Sequence, residues 1–374
     1  MRTVSIVGAR PQFVKLAPVC RALARHNANG APQIEDLIVH TGQHYDPGMS
    51  DVFFDELDIP RAGVDLGVGS GPHGAQTARM LEGIERLLLE RKPDAVVVYG
   101  DTNSTIAGAL AAAKLHIRSV HVEAGLRSFN RAMPEEINRI ATDHISDLLL
   151  APTPTAMRNL AEERLAGRSM YTGDVMYDAV LYVRQRAAAR SQILERLKLV
   201  THGYGVVTLH RAENTSVPQL RSLLGILNEI AERHVPLVFP VHPRTANVLR
   251  GELNAWTPRP QLKLIEPLGY LDMVSLVDGA RVVLTDSGGL QKEAFFLGCP
   301  CVTLRGETEW VETVEAGGNV VAGTGRDAVL VAVGRWLAQP PRPDFPGGAG
   351  KPFGEGRAAE AIVAALSSAA DAGR

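Results

Sequence analysis

Short apolar runs alternate with segments of helical periodicity along the first half of the chain. The runs are continuously apolar, which is typical of strands buried on both faces of a parallel sheet. The predicted strands cover 3–7, 36–39, 95–99, 119–122 and 148–150. The predicted helices lie near 11–26, 73–91, 104–114 and 134–144. This βα alternation predicts an α/β domain with helices on both faces of the sheet.

The same alternation resumes in the second half. The predicted strands cover 205–209, 236–241, 263–265, 281–284 and 301–304, and the predicted helices lie near 217–233, 243–252, 270–278 and 289–297. We therefore expect two doubly wound domains, 1–172 and 173–356, with a hinge near Gly173 or within 183–211. The Pro- and Gly-rich segment 339–356 predicts an irregular crossing. A terminal helix within 357–374 is expected to pack back on the first domain.

Composition restricts the class of protein. With 374 residues, 45% of them hydrophobic and 21% charged, the chain is long enough for about two folded domains. Lys plus Arg total 39 against 41 Asp plus Glu, so a net charge of -2 predicts no general affinity for nucleic acid or an anionic membrane. Three cysteines without CxxC spacing argue against a disulfide framework and favour a reducing cytoplasm. The stretch before the first predicted strand is too short for a signal sequence and no run reaches 18 apolar residues, so we expect neither export nor a membrane span.

The segment TDSGGLQKE at 285–293 follows an apolar strand and begins a helix. Small residues at Ser287, Gly288 and Gly289 leave the first N–H groups of that helix open, so the turn is a candidate phosphate site. Glu293, about one turn further on, could accept hydrogen bonds from ribose hydroxyls. A simple helix cap with a tight turn explains the same residues. The segment GSGPHG at 69–74 matches GxGxxG in its letters but follows no predicted strand, and the chain has no P-loop, which argues against NAD and ATPase sites.

Two cations follow the first predicted strand in GARPQFVK at 8–15. Arg10 and Lys15 at this first βα turn could clamp a diphosphate. Ordinary surface charge is the alternative.

Carboxyl side chains follow the ends of neighbouring strands. Asp101 lies in GDTNST at 100–105, Glu123 in HVEAGLR at 121–127, and Glu135 and Glu136 in MPEEINR at 133–139. Carboxylates gathered at one sheet edge can act as acid and base, although Asp101 could also serve only as a helix cap. The HxE at His121 has no PCxxC partner, so no metal site is predicted.

Histidines also follow predicted strands. His210 and His242 do so in the second domain, and His44 does so in the first. Only His210 is predicted to be functional, because single histidines are usually ordinary surface or core residues.

Six motifs in this order, GARPQFVK, GDTNST, HVEAGLR, MPEEINR, LHRAEN at 209–214 and TDSGGLQKE, resemble those of the non-hydrolysing UDP-N-acetylglucosamine 2-epimerases. The resemblance extends to KPFGEGR at 351–357. It implies a GT-B-like fold in which two Rossmann-like domains face a central cleft, a homodimer, and a cytoplasmic role in supplying sugars for surface polysaccharides. It also implies that no cofactor is needed.

The family's reaction eliminates UDP anti to give a 2-acetamidoglucal and then adds UDP back with C2 inverted. By this resemblance Arg10, Lys15, His210 and the Ser287–Gly289 turn hold the UDP leaving group, and Glu293 binds the ribose. Asp101, Glu123 and Glu135 match the family's acid and base positions, and the resemblance assigns His210 a catalytic role as well.

The chain departs from the family pattern at TEWVE, 308–312, where many members carry an arginine in place of Trp310. In this feature the chain is similar to the branch of the family that epimerises UDP-2,3-diacetamido-2,3-dideoxyglucuronate. That sugar is therefore the alternative to UDP-N-acetylglucosamine as the substrate. Gln43, Glu136, Arg211 and His242 match an allosteric UDP-N-acetylglucosamine site of bacterial members. A GT-B glycosyltransferase is the rival enzyme class, and a non-catalytic nucleotide-sugar sensor is a third possibility.

Overall fold

The structure, a computed structural model, describes residues 1–43, 56–345, 348 and 351–371. The chain divides into two compact units, Met1–Ala179 with Phe353–Arg374, and Val180–Pro352. The division falls inside the helix Val175–Arg190. Each unit has its own parallel sheet and its own core, so we describe the two separately.

The first unit is built on seven parallel strands in the order β3-β2-β1-β4-β5-β6-β7. They are β1 (Arg2–Val7), β2 (Glu35–His40), β3 (Val64–Asp65), β4 (Ala95–Tyr99), β5 (Arg118–Val122), β6 (Leu148–Ala151) and β7 (Ser169–Tyr171). The helices are Arg10–Ala28, His73–Arg91, Asn103–Lys114, Pro134–Ile145, Pro154–Glu162, the beginning of Val175–Arg190 and Ala358–Asp371, with a 3₁₀ turn at Ala166–Arg168.

Apolar strands with no exposed face form the core of this unit. All five residues of β4 are buried, and Val96 and Val98 pack with Ile6 of β1 and with Ile84 of the helix His73–Arg91. The strand order reverses between β1 and β4, so the chain leaves both strands at the same edge toward opposite faces. Open α/β sheets bind ligands at such a switch point.

The second unit has six parallel strands in the order β10-β9-β8-β11-β12-β13. They are β8 (Gly205–Thr208), β9 (Leu237–Pro240), β10 (Leu262–Ile265), β11 (Val282–Thr285), β12 (Cys301–Thr303) and β13 (Asn319–Val321). The helices are Ile193–Leu197, Val217–Arg233, Pro243–Gly251, Tyr270–Asp278, Gly288–Phe296, Val311–Glu315 and Arg326–Leu337. A 3₁₀ turn at Lys351–Phe353 spans the return of the chain to the first unit. Here the order reverses between β8 and β11, which places the second switch point after these two strands.

The predicted fold class, two doubly wound α/β domains, is confirmed. The ten strands that the apolar runs predicted are all present, but the sequence pattern missed β3, β7 and β13. These are edge strands of two or three residues, too short to show a period. The terminal helix Ala358–Asp371 packs against Arg10–Ala28 within the first unit. In the part of the chain that the structure describes, no helix combines the length and apolarity needed to cross a bilayer.

Candidate active site

The loop after β1 is tied to the loop after β4 by the buried amide of Gln12. Its Oε1 accepts hydrogen bonds from the N–H groups of Gly8 (2.8 Å) and Ala9 (3.0 Å), while its Nε2 donates to the carbonyl of Tyr99 at 2.9 Å. This arrangement organises the start of the helix whose first residue is the half-buried Arg10. Gln12 lay inside the GARPQFVK motif, but the sequence did not single it out.

Lys15 and Glu123 form a buried ion pair at the first switch point. Their side chains are only 8% and 4% exposed, and Lys15 Nζ contacts Glu123 Oε2. Gly100 lies beside them, and a Cβ there would be 2.8 Å from Lys15 Nζ. The cation predicted to hold a diphosphate and the carboxylate predicted to act at C2 are therefore in direct contact.

Glu123 has an unusual backbone conformation. Its φ is +73°, in the left-handed region that a non-glycine residue adopts at an energetic cost of about 1–3 kcal/mol. The turn is held because the N–H groups of Glu123 and Ala124 both donate to the carbonyl of Leu150 at 3.1 Å. Strain of this kind is concentrated at functional positions.

Asp101 is held by Arg139, a residue that the sequence did not single out. Arg139 Nη2 donates to Asp101 Oδ2 at 2.5 Å, and its Nη1 donates to Glu136 Oε2 at 2.8 Å. The side chain of Asn138 also donates to the Asp101 carbonyl at 3.0 Å. The helix Pro134–Ile145 is thus fastened to the loop after β4, and its first turn carries the half-buried Glu135 beside that loop.

Glu136 faces inward, away from solvent. Its two oxygens accept from the N–H groups of Ser128 and Phe129, both at 2.9 Å, and from Arg139. Glu136 therefore holds the 128–129 loop and, through Arg139, connects that loop to Asp101.

His121 is fully buried between two acceptors. Its Nδ1 lies 2.7 Å from Asp143 Oδ1 and its Nε2 lies 2.7 Å from the carbonyl oxygen of Gly100. The second Asp143 oxygen accepts from Arg127 at 2.7 Å and from the N–H of Gly125 at 3.0 Å. Burial raises the pKa of the Asp143 carboxyl, but the hydrogen bonds and charges of His121 and Arg127 outweigh burial and hold the pKa below its ordinary value.

Gln43 also has a local role at this edge of the sheet. Its Oε1 accepts from the N–H and hydroxyl of Ser104, at 3.0 and 2.7 Å, so it caps the helix Asn103–Lys114. His44, which follows it, lies outside the described residues.

In the second unit, a buried Asp286 organises the loop that carries His210. The Asp286 carboxylate accepts from the N–H groups of His210 and Arg211 and from the side chain of Asn214, at 3.0 to 3.1 Å. It also lies 3.4 Å from His210 Nδ1. Asp286 precedes Ser287 in the candidate phosphate turn, so one carboxylate joins the loops after β8 and β11.

His210 lies in a cationic environment. Burial lowers its pKa, Asp286 opposes this shift, and His242, Arg211 and Arg244 lower the pKa further. The His242 ring is 5.3 Å from the His210 ring, and Arg244 Nη1 donates to the His210 carbonyl at 2.9 Å. His210 is therefore predominantly neutral near pH 7, and an anion beside it would favour its protonated form.

The turn Ser287–Gly289 begins a helix, as predicted. Ser287 is the N-cap of Gly288–Phe296, and its hydroxyl accepts from the N–H of Leu290 at 3.4 Å. At Gly288, Glu309 Oε1 occupies the place that a Cβ would need, whereas the nearest atom to a Cβ at Gly289 is Ser287 Oγ at 3.9 Å. Glu293 is half-buried on the same helix.

Glu309 and Trp310 lie beside this helix. Arg305 Nη1 donates to Glu309 at 2.9 Å, and Arg211 lies 3.8 Å from the same carboxylate. The ring of Trp310 covers the fully buried Lys292, whose Nζ is 3.7 Å from the ring centroid. A cation–π contact thus stabilises the position at which the sequence departs from the family pattern.

The predicted residues are therefore brought together in two groups. Lys15, Asp101, Glu123 and Glu135 lie around the switch point of the first unit, and His210 lies beside the Ser287–Gly289 turn at the switch point of the second. The residues that the sequence reasoning missed hold these groups in place, and they are Gln12, Arg139, Asp143 and Asp286. Within the described ranges, no set of three His, Cys, Asp or Glu side chains is grouped as a metal ion requires.

The family model and two relatives that match this chain all carry the name of a UDP-sugar 2-epimerase. A family model described as UDP-N-acetylglucosamine 2-epimerase matches residues 26–367. A UDP-N-acetylglucosamine 2-epimerase homolog from Methanococcus maripaludis is 48% identical over 98% of this chain and 99% of its own length. The UDP-2,3-diacetamido-2,3-dideoxy-D-glucuronate 2-epimerase of Pseudomonas aeruginosa is 45% identical over 97% of this chain and 98% of its own.

A solved structure has the same fold. The crystal structure of the Methanocaldococcus jannaschii UDP-N-acetylglucosamine 2-epimerase, in complex with UDP-N-acetylglucosamine and UDP, is 42% identical to this chain. It matches with a TM-score of 0.88 over 98% of this chain and 100% of that one.

Proposed function

The chain belongs to the UDP-N-acetylglucosamine 2-epimerase family, and from this premise we propose that it interconverts UDP-N-acetylglucosamine and UDP-N-acetylmannosamine. The chain is a nucleotide-sugar epimerase, an isomerase of GT-B-like fold. The observation that carries the choice of reaction is the group of carboxyl side chains at the ends of β4 and β5, with Glu135 at the start of the following helix.

The C2 proton of the sugar is only weakly acidic, so the proposed route is elimination followed by addition. One carboxylate among Asp101, Glu123 and Glu135 removes the C2 proton. The C–H electron pair forms the C1–C2 double bond, and the C1–O bond breaks with its electrons going to UDP. In the reverse step, UDP attacks C1 while a second carboxyl delivers a proton to the other face of C2. Atoms and charges balance without a redox cofactor.

The leaving group needs positive charge and N–H donors. We assign the diphosphate to His210 and to the open first turn at Ser287–Gly289, together with Arg10 and Lys15. Neutral His210 near pH 7 would gain a proton as the diphosphate approaches, because an adjacent anion offsets the effect of burial. Glu293, one turn into the same helix, is assigned to the ribose hydroxyls.

Two further points belong to the same proposal. The enzyme acts in the cytoplasm as a homodimer, and its product supplies surface polysaccharide synthesis. Gln43, Glu136, Arg211 and His242 are the candidate residues of an allosteric UDP-N-acetylglucosamine site.

The proposal is tested by incubating the protein with UDP-N-acetylglucosamine in D2O and recording proton NMR spectra. We expect deuterium at C2 and signals of the manno epimer. Asp101→Asn and Glu123→Gln should keep UDP binding and lose exchange. Absence of exchange in the wild-type protein with this sugar would overturn this choice of substrate, and unchanged turnover in both variants would remove these residues from the mechanism.

A second candidate substrate is UDP-2,3-diacetamido-2,3-dideoxyglucuronate. Two observations favour it, namely Trp310 in place of an arginine and the 45% identity to the Pseudomonas aeruginosa enzyme of that name. The reaction at C2 would be the same. The same NMR assay distinguishes the two substrates. If UDP-N-acetylglucosamine shows no exchange while the diacetamido sugar does, this alternative is selected. If neither sugar exchanges, epimerisation of both is excluded.

A further inference from the structure

The environment of His121 determines how many protons its ring carries. Both ring nitrogens face hydrogen-bond acceptors. Nε2 lies 2.7 Å from the Gly100 carbonyl oxygen, and Nδ1 lies 2.7 Å from a carboxylate oxygen of Asp143. A neutral imidazole has one N–H and can donate to only one of them. The other nitrogen would then place its lone pair against an acceptor in a fully buried site.

A protonated Asp143 would be the alternative, and the contacts of its second oxygen argue against it. That oxygen accepts from Arg127 Nη1 at 2.7 Å and from the Gly125 N–H at 3.0 Å. A carboxyl group with a guanidinium and a backbone donor on one oxygen is held as the anion. The remaining proton therefore belongs to the ring of His121.

The two acceptors of His121 are linked to the two loops that carry predicted acid and base residues, although Asp143 itself lies on the helix Pro134–Ile145. Gly100 precedes Asp101, and its φ of +66° turns the chain so that Lys15 Nζ and Glu123 Oε2 can approach its Cα. Asp143 accepts from Gly125, two residues after Glu123. One imidazole thus spans the loop after β4 and, through Asp143, the loop after β5.

We propose that His121 is a buried imidazolium that acts as a positioning residue, holding the Gly100 carbonyl so that Asp101 and the Lys15–Glu123 pair keep their catalytic geometry. The role in catalysis rests on the proposed epimerase function, whereas the charge of the ring does not. No contact between His121 and the substrate is required.

The charged groups around His121 balance its charge. Asp143 faces it from the helix Pro134–Ile145, and Arg127 lies behind Asp143 and forms a bidentate pair with Glu163 at 2.7 and 2.8 Å. Lys15 and Glu123 lie on the other side of Gly100 and neutralise each other. The group therefore contains three cations and three anions, which makes a buried imidazolium electrostatically reasonable.

Two matched variants separate the two contacts of the ring. In His121→Gln, the amide nitrogen reaches about as far as Nε2 and retains a donor for Gly100. In His121→Asn, the amide nitrogen lies near the place of Nδ1 and retains a donor only for Asp143. Both variants remove the charge and each keeps one of the two contacts, so a lower kcat in His121→Asn than in His121→Gln identifies the Gly100 contact as the more important one.

We measure kcat, KM and UDP affinity with whichever UDP-sugar the wild-type enzyme epimerises. We expect kcat of His121→Asn to be at least about tenfold below that of His121→Gln, the size of effect of one unsatisfied buried acceptor. UDP affinity should fall far less than kcat, because His210 and the Ser287–Gly289 turn, two of the proposed diphosphate contacts, belong to the second unit, whereas His121 belongs to the first. Equal kcat values, the reverse order, or parallel loss of UDP binding would overturn the positioning role.

The charge itself is tested on the wild-type protein labelled with 15N-histidine, without substrate. At pH about 7.5 an exposed imidazole is neutral. We expect one ring to show protons on both nitrogens, with slow solvent exchange because the residue is buried. If every histidine ring is singly protonated, the inference is wrong, even if the variants fail to fold. A doubly protonated ring in a protein that epimerises no UDP-sugar would instead refute the proposed function alone.

Discussion

The Lys15–Glu123 ion pair offers a quantitative test of how far the first switch point is shielded from water. For unit charges about 3 Å apart at an effective dielectric of about 20, the attraction is about 5 kcal/mol. With side chains 8% and 4% exposed, little solvent screening remains. Removing one partner leaves the other charge buried, which typically destabilises a protein by about 3–5 kcal/mol.

The perturbation is a double-mutant cycle with Lys15→Met and Glu123→Gln, which preserve side-chain length and remove one charge each. We expect each single variant to lose about 3–5 kcal/mol of unfolding free energy. The double variant should lose less than about 2 kcal/mol, because replacing a whole buried pair is far less costly than breaking it. The coupling energy is then at least about 4 kcal/mol.

The assay is urea denaturation followed in two ways. Hydrogen exchange of peptides from 1–179 reports the first unit, and tryptophan fluorescence reports the second, because the three tryptophans, Trp256, Trp310 and Trp336, all lie in Val180–Pro352. The fluorescence transition should not move in any of the variants. This comparison separates a local effect of the pair from a general loss of stability.

An exposed pair provides the control. Arg86 and Glu82 are spaced i,i+4 on one helix, with side chains 69% and 74% exposed. Their cycle, Arg86→Met with Glu82→Gln, should give less than about 0.5 kcal/mol of coupling. If the Lys15–Glu123 coupling is as small as that of the exposed pair, the ion pair is screened by solvent and the reasoning about a buried site is refuted.

Three further predictions concern pH and steric fit. Because burial lowers the pKa of His210, this side chain should take up a proton when UDP binds near neutral pH. Calorimetry in buffers of different ionisation enthalpy measures this uptake. The variant His210→Gln should abolish it, and equal uptake in both proteins contradicts the assignment. Burial raises the pKa of Asp178 from an ordinary 3.8 to about 7, so its folded form binds the proton more tightly and stability falls as pH rises through that window, by at most about 4 kcal/mol. Asp178→Asn should flatten this slope in denaturation curves between pH 4 and about 8, and an unchanged slope would show that other groups cause it. Gly288→Ala should destabilise the second unit by about 1 kcal/mol, because the new methyl displaces the Glu309 carboxylate from its contacts with Arg305 and Arg211, whereas Gly289→Ala should be tolerated; equal urea midpoints would contradict the packing.

The sequence alone was sufficient for the architecture and for the kind of chemistry. Parallel strands buried on both faces must be continuously apolar, so ten of them were visible as apolar runs. Parallel strands also end at a common edge, so the order of strands and polar residues along the chain was enough to place Asp101 and Glu123 on one side of one sheet. The open helix start at Ser287–Gly289 follows from residue type alone, because small side chains leave the N–H groups accessible.

Only the tertiary structure decided which side chains pair. Glu123 contacts Lys15, 108 positions away, Asp101 contacts Arg139, 38 positions away, and His121 contacts Asp143, 22 positions away. These partners depend on strand order, and the reversals between β1 and β4 and between β8 and β11 leave no periodic signal in the chain. A local pattern records which residues are buried and where elements end, because that depends on neighbours in sequence. The charge balance that makes a carboxylate, a lysine or a histidine useful depends on distant residues, so it exists only once the sheet is assembled.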